Sequence, residues 1–361
     1  MNEVVIIGGG QSGLSAARAL NHHGIRPLLL EAGPEPTGSW AGYYDSLTLF
    51  SPARYSGMPG QDFPGAAENY PHRDEVVDYL RRYAGTIDAD IRADTTVTAV
   101  EAGSRGEFLV RTGTGDEIPA AGLIAATGSF GNPHLPAMPG FTGRLSHVAD
   151  YRNPKAHHGE RLIVVGGGNS GVQVAYELAE VADVTLATRA PITFLPQRRD
   201  GRDVHHWLAE SGFDQLPPQW LIHYLGGPLV MDTGDYRAAV EDGRLRRREM
   251  FTAFDGDQVV WPDGERERVD TVLFATGYRP HLGYLDPLGA LHDGMPLHGG
   301  GLSMTHPGLG YVGLEFQRSF SSNTLRGVHR DAEYVVEALV AHVRDAPAAA
   351  GVSTGSGRTP V

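Results

Sequence analysis

The sequence contains no cysteine. That absence removes a disulfide framework, a thiolate zinc site and an iron–sulfur cluster, because each is built on cysteine sulfur. It also removes any enzyme that works through a redox-active dithiol. Lysine is almost missing: Lys155 is the only one, and arginine carries the other basic charge. Acidic residues outnumber basic ones by 43 to 30, a formal net charge of −13. A nucleic-acid partner is therefore not expected, since a phosphate backbone rewards clustered cations. No uninterrupted apolar run is long enough to cross a bilayer, so no membrane partner is expected. The opening residues MNEVVIIGGG enter a strand at once, without the three regions of a secretion signal, and the expected location is the cytoplasm. The pairs His22–His23, His157–His158 and His205–His206 lack metal-ligand spacing, because adjacent residues do not share a helix face. They read as solvated or locally bonded, and no metal is expected.

What is present points to two domains. The chain has 361 residues and 41% hydrophobic content, enough for a large core. One internal repeat stands out. VVIIGGGQSG begins at Val4, and IVVGGGNSG begins at Ile163. Each is a β-branched run, a glycine turn, and a helix with small residues on its inner side. The apolar runs predict strands over 4–7, 27–31, 123–126, 162–165, 184–187, 272–275 and 311–313. Helices are expected over 12–23, 73–84, 170–181 and 327–342. The stretch 33–65 reads as an ordered loop, and 346–361 as a disordered tail.

Gly8, Gly10 and Gly13 form G-x-G-x-x-G between a strand and a helix. The first glycine allows the tight turn, the second admits a pyrophosphate to the helix N-terminus, and the third lets helix and strand pack closely. Glu31 lies 31 − 13 = 18 residues past the third glycine, where a carboxylate accepts from ribose hydroxyls. Gly166, Gly168 and Gly171 repeat the pattern, and the matching position, 189 − 171 = 18, holds Arg189. A guanidinium there pairs with a 2′-phosphate that a carboxylate repels. The contrast predicts FAD on the first turn and NADPH on the second, with hydride passing from nicotinamide to flavin.

Further residues carry a family resemblance. FTGRLSHVADY places Phe141, Gly143, His147 and Tyr151 at the spacing F-x-G-x-x-x-H-x-x-x-Y, just before the second glycine turn. This resembles the fingerprint of class B flavoprotein monooxygenases. FATGY at 274–278 resembles that family's closing motif, and GSW at 38–40 its flavin-contacting G-x-W. YDSLTLFSPARYSGMPG and VGLEFQRSFSSNTLRGVHRDAEYV are similar to its short bacterial group of arsenic-oxygenase and CzcO type. The likeness runs from about residue 3 to about residue 342. One departure matters: where many members have Asn-x-Pro near the flavin, this chain has Phe50–Ser51–Pro52.

The resemblance implies an α/β fold of two doubly wound, Rossmann-like domains. The NADP domain is expected over 151–275, inserted into an FAD domain built from 1–150 and 276–345. It implies cofactor contacts at Gly8, Gly10, Gln11, Ser12, Gly13, Glu31, Gly38, Ser39, Trp40, Thr127, Gly128 and Gly327 for FAD. For NADP it implies Gly166, Gly168, Asn169, Ser170, Gly171, Arg189, Thr276 and Gly277. Trp40 and Arg54 are the candidates beside the flavin ring, while His147 reads as structural. The implied reaction starts with NADPH reducing FAD. O2 then gives a C4a-(hydro)peroxyflavin, which oxygenates a soft heteroatom (N, S or As) of a small molecule. An NADPH:acceptor reductase without oxygen insertion and a flavin redox sensor remain open, as does a homodimer.

Overall fold

The computed structural model describes residues 2–104, 106–221 and 229–345. The tail expected over 346–361 lies outside the described residues. Two largely parallel sheets organise the chain, and the fold is the doubly wound α/β arrangement expected.

In the first sheet, β1 (Asn2–Ile7) leads into α1 (Gln11–His22) and β2 (Leu28–Leu30). α2 (Arg73–Ala84) and β3 (Asp90–Arg92) follow. An antiparallel pair, β4 (Val97–Ala102) and β5 (Phe108–Thr112), then leads to β6 (Glu117–Ala125). β1 lies between β2 and β6, parallel to both. The late strand Leu309–Tyr311 returns to pair in parallel with β6.

β1 is buried on both faces, as its unbroken apolar run requires. Val4 and Ile6 pack with α1, α2 and the C-terminal helix Val328–Asp345. Val5 and Ile7 pack on the opposite side with β2, β5 and Leu285. α2 spans the expected residues because His72 and Glu75 form a reciprocal cap. His72 Nδ1 accepts from the Asp74 N–H at 3.2 Å, and the Glu75 carboxylate accepts from the His72 N–H at 2.7 Å.

The second sheet is wholly parallel. It contains β7 (Arg144–His147), β8 (Arg161–Val165) and β9 (Asp183–Thr188), with α3 (Asn169–Leu178) between β8 and β9. The strand Thr271–Phe274 sits between β7 and β8, and Arg246–Glu249 lies outside β9. The boundary expected at 150/151 needs correction. β7 pairs with Thr271–Phe274, so the second sheet already claims 144–147.

β7 explains the fingerprint in physical terms. Phe141 packs against Phe254 at 4.8 Å between ring centroids. A Cβ on Gly143 would stand 2.5 Å from the Phe141 ring and 2.8 Å from the Asp270 carbonyl oxygen, so only glycine fits. His147 is fully buried, accepts from the Ala149 N–H at 3.1 Å, and meets Tyr278 edge-on at 4.9 Å. Burial lowers its pKa. The Tyr151 hydroxyl donates to Glu177 on α3 at 2.8 Å. The same helix holds the loop of the first segment, since Tyr44 donates to Gln173 at 2.6 Å and Ser46 to Glu177 at 3.1 Å. The fingerprint therefore fastens β7 to its sheet and, through Tyr151, to α3, to which Tyr44 and Ser46 also tie the 43–47 loop.

We expect Gly143→Ala to destabilise the protein by about 1–3 kcal/mol through overpacking. Thermal unfolding of the purified variant checks this, and an unchanged Tm contradicts it.

Candidate active site

Each glycine turn is shaped by the same two close approaches. Gly8 has φ +104°, and a Cβ there would lie 2.6 Å from the Ala126 carbonyl oxygen. Gly166 has φ +136°, and its Cβ would lie 2.3 Å from the Ala275 oxygen. The third glycines, Gly13 and Gly171, press on the carbonyl of the first glycine in their own turn. Ala126 and Ala275 each open an Ala-Thr-Gly, at 126–128 and 275–277. The internal repeat therefore has two halves, a glycine turn and the Ala-Thr-Gly behind it. The helices that follow start at Gly10 and Gly168, whose side-chain-free caps leave first-turn N–H groups open to an anion.

The first cleft has a volume of about 640 Å³. Gly8, Gly10, Gln11, Ser12, Glu31, Gly38, Ser39, Trp40, Thr127 and Gly128 line it. Gly13 stands behind it, against Gly8. Glu31 is buried, and its two carboxylate oxygens accept from the Gly9 N–H at 2.6 Å and the Gly33 N–H at 2.7 Å. This fixes the carboxylate at the cleft wall with lone pairs to spare for hydroxyl donors. Trp40 donates from Nε1 to Gln11 at 2.8 Å, and Gln11 donates to the Asn323 carbonyl at 3.2 Å.

A second cleft, about 520 Å³, runs along the second glycine turn. Gly168, Asn169, Ser170, Gly171 and Gly277 line it, and Asn169 accepts from the Met231 N–H at 2.8 Å. Gly166 forms the turn beneath, and the Thr276 hydroxyl donates to the His134 carbonyl. Arg189 follows β9 directly, is exposed, and forms no ion pair among the described residues. The two clefts share Gln11, Trp40, Tyr43, Ser129, Phe130 and Asn323, so they are continuous. Tyr43 and Phe130 meet at 4.8 Å, and Phe130 and Tyr278 at 4.6 Å, forming an aromatic seam across the junction. The open N–H groups and the buried carboxylate suit dinucleotides in these clefts, while Arg189 stands beyond the lining of the second.

Two expected positions differ. Arg54 lies on neither cleft. The chain turns through Ala53–Tyr55, buries Ala53, and points Arg54 outward to Glu68 at 3.0 Å. Gly327 is buried against Ser321 rather than on the lining, and 323–326 line the second cleft in its place. Phe50 and Ser51 do line the second cleft.

The sequence reading missed one group. Asp203 and His205 form a buried pair, with Nδ1 and Oδ1 2.7 Å apart, and His205 lines the second cleft. An aspartate at a helix start, two residues before a histidine, is the signal that could have found it.

A family model described as pyridine nucleotide-disulphide oxidoreductase matches residues 5–210. The uncharacterized oxidoreductase CzcO of Bacillus subtilis (strain 168) is 30% identical over 353 residues, 94% of this chain and 99% of its own length. Indole-3-pyruvate monooxygenase YUCCA1 of rice (Oryza sativa subsp. japonica) is 28% identical over 313 residues, 77% of each chain. The solved flavin-containing monooxygenase of Stenotrophomonas maltophilia superposes with a TM-score of 0.81 at 30% identity, covering 95% of this chain and 99% of that one.

Replacing Glu31 with alanine leaves two buried N–H groups without an acceptor and removes the hydroxyl acceptor. We expect at least roughly tenfold weaker flavin retention, read as the flavin-to-protein absorbance ratio after dialysis. A full flavin complement in Glu31→Ala contradicts the placement.

Proposed function

The chain belongs to the family of flavin-containing monooxygenases, and from that premise we propose that it is an NADPH-dependent enzyme that oxygenates a soft heteroatom of a small molecule. Its cofactors are FAD and NADPH, and its co-substrate is O2. When bound and reduced by nicotinamide, the flavin supplies oxygen from O2 to the substrate. The observation that carries this reading is the continuity of the two clefts through Gln11, Trp40, Tyr43, Ser129, Phe130 and Asn323. The absence of cysteine supports it further, because the disulfide chemistry in the family model's description has no dithiol here.

The residues divide the work. The turn at Gly8 and the fixed Glu31 carboxylate hold the first nucleotide. The first turn of α3 receives the second pyrophosphate, and Arg189 reads its 2′-phosphate. Trp40, held by Gln11, walls the flavin end, and the Tyr43–Phe130–Tyr278 seam lays aromatic faces across the junction. Phe50 presents an apolar wall where relatives place an asparagine, so no carboxamide donor acts at that position.

Two outcomes are expected. Arg189→Ala lowers kcat/KM for NADPH by roughly tenfold or more while leaving NADH use little changed, as the loss of a charge-assisted bond requires. Equal effects on both cofactors contradict that assignment. Under ¹⁸O2 with NADPH, mass spectrometry of a panel of amines, thioethers and arsenite detects one ¹⁸O in a product. NADPH consumption matched by H2O2, with no labelled product from any compound, contradicts the monooxygenase.

A further inference from the structure

His205 lines the second cleft and forms a buried polar pair with Asp203. Asp203 caps the helix Val204–Glu210 and accepts from the His205 backbone N–H at 2.8 Å. The same carboxylate oxygen meets His205 Nδ1 at 2.7 Å. Both residues are more than nine-tenths buried, with 3% and 6% of their surface exposed. Burial opposes the charge on Asp203. Hydrogen bonds from His205, from the Tyr70 hydroxyl at 2.5 Å and from Gln197 at 2.7 Å outweigh it and hold the pKa at about 2. Asp203 is therefore a carboxylate and can only accept. Nδ1 must carry the proton, which leaves the lone pair of the neutral ring on Nε2.

No described residue hydrogen-bonds Nε2. His205 shares the cleft wall with Leu47, Leu49, Phe50 and Leu325. Gln197 ties the wall together, donating both to Asp203 and to the Phe50 carbonyl at 2.8 Å. Other polar groups, Ser51, Glu315 and Thr324 among them, line the same cleft, and a few placed polar groups among apolar ones are the usual way a small-molecule pocket fixes orientation.

We propose that His205 Nε2 anchors the substrate, accepting a hydrogen bond from an N–H or O–H donor on a small, otherwise apolar molecule. This rests on the monooxygenase reading of the same cleft. It narrows the substrate class to amines and other donor-bearing compounds over thioethers. Asp203 is a positioning residue, because it fixes the tautomer.

The test is calorimetric titration of the FAD-loaded, NADP⁺-bound enzyme, without turnover. The probes are benzylamine, which carries the donor, and benzyl methyl sulfide, which does not. His205→Phe weakens benzylamine binding roughly tenfold or more, the loss expected for a hydrogen bond to a charged donor. It leaves the sulfide within about twofold, as an apolar swap requires. His205→Gln, whose amide oxygen can accept, recovers part of the loss. Asp203→Ala removes the acceptor that fixes the proton on Nδ1 and weakens benzylamine alone; ¹⁵N shifts of His205 report the loss of the single tautomer. Unchanged benzylamine affinity in His205→Phe, equal loss of both probes, or no saturation of the wild type by benzylamine overturns the proposal. Labelled product together with unchanged affinity defeats the anchor alone. The predicted affinities with no oxygen incorporation defeat the monooxygenase reading alone.

Discussion

The chain passes twice between its two sheets, and the two passages are hydrogen-bonded to each other. His281 N–H donates to the Gly128 carbonyl at 2.8 Å, and His134 N–H donates to Gly277 at 3.0 Å. The Arg279 N–H adds a bond to Asn132 at 2.9 Å. The threonines reciprocate: Thr127 donates to the His281 carbonyl at 2.6 Å, and Thr276 to that of His134. Each passage begins at the Ala-Thr-Gly whose alanine carbonyl presses on a glycine turn. The clasp therefore sets the two nucleotide turns in a fixed relation, and the shared lining of the clefts follows from it. The Asn132 side chain adds a further bond across the two passages, donating to the Pro280 carbonyl at 3.0 Å.

The fingerprint belongs to the same device. β7 lies beside the strand that leads into the second Ala-Thr-Gly, and His147 at its end packs on Tyr278 just past that turn. Tyr151 and Tyr44 bring α3 and the 43–47 loop together from the other side. The histidine thus serves position, with its charge suppressed by burial. A group buried and packed edge-on against an aromatic ring is poorly placed to exchange protons with a substrate.

Local chemistry is what a sequence displays, and the local parts of this fold were legible. The glycine turns, the place of Glu31 on the first cleft and the span of α2 all rest on neighbours within a few residues or on one recognisable offset. The non-local parts were hidden. The small meander Ala253–Asp255, Gln258–Val260 and Arg266–Arg268 reads as a charged surface stretch, because its outer face is a ladder of ion pairs such as Arg268–Asp257 at 2.6 Å. Its inner face holds Phe254 and Val259 with the neighbouring Phe251 and Trp261, too few for a visible period of two. Arg54 follows a proline in a glycine-rich loop, and nothing nearby tells that one short turn aims it at Glu68. The surroundings of His205 depend on Tyr70 and the Phe50 carbonyl, both far along the chain, which bond Asp203 and Gln197 beside it.

Hydride transfer as proposed requires both dinucleotides to meet at one junction within a single chain. Anaerobic stopped-flow mixing of the FAD-loaded enzyme with NADPH deuterated at the transferred position tests this. The oxidised-flavin band is expected to bleach at least as fast as turnover, slowed by the deuterium. A flavin that stays oxidised under NADPH, or is bleached with no isotope effect more slowly than turnover, would contradict it.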